Sequence, residues 1–146
     1  MKSHLLHAHL TAQFKGVSPE KIYETYMSAE EHTRATGQTT SVDAREGGEF
    51  AAYGGYITGK FIRLIPGRLI VQYWRSGHYK DTDPDSILTL AFRKNEFGAA
   101  EMELLLTLYP DHLDYNDNTA WNNFYVEPFR AYLNGKPEPP PFNLGP

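Results

Sequence analysis

Trp121-Asn122-Asn123-Phe124-Tyr125-Val126-Glu127-Pro128-Phe129-Arg130-Ala131-Tyr132 lies near the C-terminal end of a 146-residue chain. Trp121, Phe124, Tyr125, Pro128, Phe129 and Tyr132 recur at helical spacing, which puts a stripe of rings on one side of a helix. Asn118 or Thr119 supplies its cap. Pro128 lacks the N–H that the helix ladder needs, so a kink is predicted there. A helix this aromatic is not stable alone in water, and the rest of the chain must provide an apolar surface to shield it.

That surface is readable upstream. Leu88, Leu90 and Phe92, then Met102, Leu104, Leu106 and Leu108, stand at every second position and so give one long apolar sheet face. Burying each such side chain contributes roughly 1.5–3 kcal/mol. His4 to Phe14 alternates as a half-buried strand does, with Leu6, Ala8, Leu10, Ala12 and Phe14 on one face and His7, His9, Thr11 and Gln13 on the other. Further strands are predicted over 50–53, 57–65, 69–75, 87–93 and 102–109. Gly54-Gly55, Pro66-Gly67, the polar loop Asp81 to Asp85 and the turn Asn95 to Gly98 punctuate them. Sequential strands joined by short turns imply an antiparallel meander. Between the first strand and the meander, Ser18-Pro19-Glu20 starts one short helix. Ser28-Ala29-Glu30-Glu31 is a capping box for a second, with Gly37 as its stop. The economical arrangement is α+β: a curved sheet of six to seven antiparallel strands around one long C-terminal helix, with two short helices after the first strand.

Composition narrows the function classes. The length fits one domain, expected over 1–135, followed by a Pro-rich tail over 136–146. A formal net charge of −4 has the wrong sign for nucleic-acid binding, and no Lys/Arg stripe interleaved with rings is present. Without cysteine the chain has no thiol nucleophile, disulfide or thiolate metal site. The N-terminus reads as no signal peptide and no run is long enough to span a bilayer, so the expected compartment is the cytoplasm, without membrane insertion.

Several motifs reduce to ordinary features. Gly47-Gly48 and Gly54-Gly55 with Gly59 lack the Lys-Ser/Thr of a phosphate loop and read as turn and bulge glycines. His7 and His9 share a strand face, but His4 has the opposite parity and no third ligand is fixed, so no metal is expected. Asp81-Thr82-Asp83-Pro84-Asp85-Ser86 resembles the start of a calcium loop, yet Ser86 stands where the turn needs Gly and Phe92 where a bidentate Glu is needed. Asp111, Asp114 and Asp117 read as a solvated loop, and the P-x-x-P at Pro137 to Pro140 as part of the tail.

The sequence also carries a family resemblance. Val17-Ser18-Pro19-Glu20-Lys21-Ile22-Tyr23, Glu46-Gly47-Gly48-Glu49-Phe50, Gly55-Tyr56-Ile57-Thr58-Gly59-Lys60-Phe61, Leu64-Ile65-Pro66-Gly67-Arg68-Leu69-Ile70-Val71-Gln72-Tyr73-Trp74-Arg75 and Trp121-Asn122-Asn123-Phe124-Tyr125-Val126-Glu127-Pro128-Phe129 occur in that order. Together they resemble the C-terminal domain of activators of the heat shock protein 90 ATPase, within the START-like or SRPBCC superfamily. The resemblance implies the helix-grip fold, often with an apolar cavity between helix and sheet, and links the chain to chaperones and the stress response. The full activators carry a separate N-terminal domain, for which this chain has no room, and the helix here ends Arg130-Ala131-Tyr132-Leu133-Asn134-Gly135 rather than in their Phe-Gly.

Three functions follow as expectations. The first is a non-enzymatic module that binds a small hydrophobic ligand in a cavity lined by Phe50, Phe61, Gln72, Trp74, Leu88, Leu90, Phe92, Leu104, Leu106, Trp121, Phe124, Tyr125 and Tyr132. Tyr and Trp there bring polar tips that need partners, and Gln72, with the parity of Ile70 and Trp74, places one amide inside. The second is a co-chaperone-like adaptor for a heat shock protein 90 homologue, as monomer or homodimer. The third is a cyclase or hydrolase using the same cavity. The inward positions are almost entirely apolar, leaving Tyr125 and Tyr132 as the proton donors on the helix face, so no catalytic residue and no cofactor is assigned.

Overall fold

The computed structural model describes residues 5–113 and 118–135. The expected tail, His4, Asp114 and Asp117 lie outside the described residues. Seven strands form one antiparallel sheet: β1 Leu5–Phe14, β2 Ser41–Val42, β3 Glu49–Ala52, β4 Ile57–Ile65, β5 Leu69–Ser76, β6 Ser86–Lys94 and β7 Ala100–Pro110. Their order is β1-β7-β6-β5-β4-β3-β2, so β2 through β7 run as a meander and β1 returns to pair with β7. Two helices, α1 Pro19–Met27 and α2 Ala29–Thr36, follow β1. This is the curved sheet with short helices that the sequence predicts, with the added two-residue edge strand β2.

Local chemistry fixes the ends. The Ser18 hydroxyl accepts from the Lys21 N–H at 3.1 Å and Ser28 from the Glu31 N–H at 3.1 Å, each satisfying an orphan donor of its helix. Gly37 closes α2 at φ 75°, a left-handed conformation that costs glycine nothing.

Register places the core. Leu10, Leu104, Leu90 and Ile70 form one cross-strand row, and Ala8, Leu106, Leu88, Gln72 and Phe61 the next. Every member of both rows is buried. Leu108 departs from its expected inward position. Its φ of 67° forms a bulge, and the β1 register shifts between Leu6 and His7, opposite Tyr109 and Thr107. Parity inverts there, so Leu108 is 37% exposed while Tyr109 is fully buried.

The C-terminal helix runs in three consecutive segments: α-helical Thr119–Trp121, π-helical Asn122–Val126 and α-helical Glu127–Leu133. The irregularity that Pro128 predicts is a π segment ending at Val126, just upstream of it, where the Glu127 N–H reaches the Asn122 carbonyl. Asn118 occupies the cap position but makes no side-chain cap bond. Its amide donates instead to the His9 carbonyl at 3.0 Å, while the Arg130 guanidinium donates to the Gln13 carbonyl at 2.8 and 3.2 Å. Two helix side chains thus occupy backbone acceptors of β1, an edge strand that would otherwise offer them to another chain.

Candidate functional site

The space between the C-terminal helix and the sheet is filled with rings. Trp121 packs on Trp74 with centroids 5.2 Å apart, and Tyr125 lies 6.0 Å from Trp121 and 5.8 Å from Phe129. Phe50 stacks on Tyr26 at 5.3 Å and meets Phe61 edge-on at 5.8 Å. One void of about 10 Å³ lies there among the described residues, lined by Tyr26, Leu88, Leu90, Met102, Leu104, Trp121, Tyr125 and Phe129. Only apolar atoms face it. A void of that size is at the threshold for a single water, and without polar partners it stays dry.

The residues expected to line a cavity converge only in part. Phe50, Phe61, Gln72, Trp74, Leu88, Leu90, Phe92, Leu104, Leu106, Trp121 and Tyr125 are all buried. Of these, Leu88, Leu90, Leu104, Trp121 and Tyr125 border the void. Phe92 instead packs edge-on against Tyr23 of α1 at 5.7 Å. Phe124 and Tyr132 are half-buried. The Tyr132 hydroxyl donates to Glu31 of α2 at 3.2 Å, and the same carboxylate oxygen accepts from Lys21 Nζ at 2.8 Å. Tyr132 is therefore engaged by a surface ion pair between the helices.

Gln72 is wholly buried, and its Oε1 accepts from the Tyr26 hydroxyl at 2.6 Å. Its Nε2 has no hydrogen-bond partner. Gly59 on β4 makes room for this amide: a Cβ there would stand 3.0 Å from Gln72 Nε2 and 2.1 Å from the Tyr73 carbonyl.

Sequence reasoning missed the most polar member of the cluster. His32 of α2 is fully buried among Tyr26, Phe50, Tyr125 and Phe129, with ring centroids 4.9 to 5.7 Å away. Its Nδ1 lies 2.9 Å from the Tyr26 carbonyl, which can only accept, so Nδ1 carries the proton. Burial lowers its pKa to about 4, so the ring is neutral and Nε2 holds a buried lone pair without a partner. The sequence around it, Ala29-Glu30-Glu31-His32-Thr33-Arg34, reads as a solvated helix; only the small Ala35 and Thr36 on the following turn hint at a packed face. The Tyr125 hydroxyl is likewise buried without a partner, and burial raises its pKa well above the ordinary tyrosine value. Tyr26, His32, Gln72 and Tyr125 thus form a polar knot inside an apolar core. His32 has the chemistry of a base, and it does not border the void described above. Among the described residues no group of His, Asp and Glu side chains is arranged to hold a metal ion. No described helix is long and apolar enough to cross a membrane.

Residues 16–134 match a family model described as activator of Hsp90 ATPase homolog 1-like protein. The chain belongs to this family. A relative in Homo sapiens, activator of 90 kDa heat shock protein ATPase homolog 1, is 26% identical over 115 residues, covering 75% of this chain and 32% of the relative. The chain thus spans under a third of the length of that activator. An HSP90 activator from Plasmodium falciparum superposes with a TM-score of 0.78 at 22% identity, covering 88% of this chain and 96% of that one. The Aha1 dimer from Colwellia psychrerythraea superposes with a TM-score of 0.71 at 18% identity, covering 87% and 96%. At these identities the two structures establish the shared helix-grip fold, and membership of the family rests on the match over 16–134.

Proposed function

We propose that this family member is a non-catalytic adaptor that docks on a heat shock protein 90-type ATPase. The observation that carries the reading is the match of residues 16–134 to the activator family. The ring packing between the C-terminal helix and the sheet, with a void of about 10 Å³ against β6 and β7, favours a role for the outer surface. The same match supplies the partner class. Isothermal titration against the purified heat shock protein 90 homologue of the same organism, with ATPase rates, tests it. Saturable micromolar binding with a changed ATPase rate is expected, and no binding at high micromolar concentration overturns it.

A second reading has its own support. Gln72 Nε2, His32 Nε2 and the Tyr125 hydroxyl are buried without partners, and unpaired buried polar atoms are costly. A helix that swings outward would open the ring-lined space bounded by Phe50, Phe61, Trp74, Leu88 and Trp121 to an apolar or aromatic molecule, and a polar group on that molecule would meet these atoms. Thermal shift against fatty-acid and aromatic libraries tests it: a saturable rise in melting temperature is expected, and none across both libraries removes the reading.

A further inference from the structure

The sheet has two edges, and they are protected differently. At one end β2 is two residues long, too short to template a partner strand. At the other, β1 runs ten residues, Leu5–Phe14, and contains no Pro and no Asp, Glu, Lys or Arg. Its register shift lies between Leu6 and His7, so His7 to Phe14 pair regularly with β7. None of the usual devices against edge-to-edge pairing is built into this stretch of the strand itself. What stands against the edge comes from the C-terminal helix. Successive residues of an antiparallel strand turn their N–H and C=O alternately toward and away from the paired strand. The His9 carbonyl accepts from the Asn118 amide at 3.0 Å, and the Gln13 carbonyl from the Arg130 guanidinium at 2.8 and 3.2 Å. These carbonyls therefore face away from β7, and those of His7 and Thr11 share their side. Arg130 is fixed in turn: its guanidinium lies 5.4 Å from the Phe14 ring centroid and pairs with Glu127. The two clamped carbonyls stand about 13 Å apart along the strand, and a strand approaching between them meets Thr11 alone.

Without its clamps the edge is complementary to itself. In an antiparallel pairing of two copies centred on Leu10, Leu10 meets Leu10, Ala8 meets Ala12 and Leu6 meets Phe14 on the inner face. On the outer face His9 meets Thr11 and His7 meets Gln13, and these are the pairs whose N–H and C=O point across the junction. Apolar side chains thus meet apolar ones and polar ones meet polar ones over the whole of 6–14. No carboxylate, ammonium or guanidinium of the strand stands opposite its own kind.

We propose that β1 is a latent strand-addition edge for a second copy of this chain, held shut by Asn118 and Arg130. Two-fold pairing through 6–14 joins the two seven-stranded sheets into one continuous sheet. Both clamps sit on the helix that also carries Trp121 and Tyr125, so a displacement of that helix from the sheet withdraws them together and opens the edge.

Sedimentation velocity over a concentration series, with wild type and the Asn118→Gly/Arg130→Met pair, tests it. Glycine suits the φ of 64° at position 118, and methionine keeps an apolar stem beside Phe14, so both clamps go while the packing stays. Wild type has to break the helix–strand bonds before it can pair, so the double variant is expected to dimerise at least about tenfold more tightly. Its His9 amide should exchange more slowly as concentration rises. Adding Thr11→Pro should abolish the gain: the Thr11 N–H faces the incoming strand and not β7, so proline costs the native sheet no hydrogen bond. Arg130→Met alone should shift association in the same direction by less, and it carries the test if the double variant does not fold. Sedimentation of the folded variant identical to wild type up to about 100 μM overturns the inference. A dimer that survives Thr11→Pro overturns it as well, since the contact then lies elsewhere.

Discussion

The Tyr53 phenol donates its proton to the backbone carbonyl of Phe124. The ordinary donor to that carbonyl in an α-helix would be the residue four further on, which is Pro128 and has no N–H. Tyr53 supplies a donor on the side where proline has none, from a left-handed backbone at φ 53° in the turn after β3. Tyr53→Phe removes this donor from the carbonyl and is expected to cost roughly 0.5–1.5 kcal/mol in urea unfolding. In a Pro128→Ala background the alanine N–H can donate in its place, so the same substitution should cost clearly less. Equal costs in both backgrounds would show that proline does not set the value of this contact.

The architecture was legible because local signals agreed with one another. Ser18, Ser28 and Gly37 mark the helix ends where caps are seen, and β4 spans Ile57–Ile65 as its alternation predicts. Signals failed where long-range geometry took over. Leu108 continues the apolar alternation of β7, but the bulge that turns it outward is set by pairing with β1. Asn118 looks like a cap and serves as a clamp on β1. Tyr132 looks like a core ring and binds Glu31. His32 carries no signal at all, since its neighbours in sequence are solvated. The ring cluster was readable as a set; whether it enclosed space was not, because packing density depends on how side chains from distant elements interdigitate.

The Tyr26–Gln72 bond offers a test of how the polar knot contributes. Each single change strands a buried partner: Gln72→Met leaves the Tyr26 hydroxyl without its acceptor, and Tyr26→Phe leaves the whole amide unpaired. Each should cost about 1–3 kcal/mol. The double variant removes both groups and the already orphaned Gln72 Nε2. It is expected to be close to wild type in urea midpoint, or above it. Additive losses would mean that the two side chains act through packing alone.

Leu108 should respond in the opposite direction to most glycine substitutions. A left-handed backbone costs a leucine about 1–2 kcal/mol, while its side chain is more than a third exposed and has little burial to lose. Part of the gain is offset by glycine's greater freedom in the unfolded chain. Leu108→Gly is therefore expected to raise the melting temperature modestly. The same change at Leu105, on the same strand and outside the left-handed region, should lower it. A fall at both positions would mean that the bulge is not strained.

His32 makes stability depend on pH in a defined window. In the folded chain its pKa lies at about 4, lowered from 6.5 chiefly by burial, although the bond to the Tyr26 carbonyl opposes the shift. The elements packed around it present Tyr26, Phe50, Tyr125 and Phe129 and no carboxylate. Between pH 6.5 and about 4 the unfolded chain binds the proton and the folded chain does not, so stability falls as pH falls, by on the order of 3 kcal/mol across the window. Above 6.5 the contribution is fully present; below about 4 both states are protonated and the slope ends. Asp83 and Glu103, held below the usual carboxylate range by their hydrogen bonds to His112 and His9 respectively, lose their own contributions toward the acid end of that range, so the variant is the control. His32→Gln keeps a donor for Tyr26 and does not titrate. Urea unfolding at a series of pH values should show wild type losing stability below pH 6.5 and the variant staying nearly level until the carboxylates protonate. Parallel profiles would mean that the imidazole is hydrated or already charged in the native state.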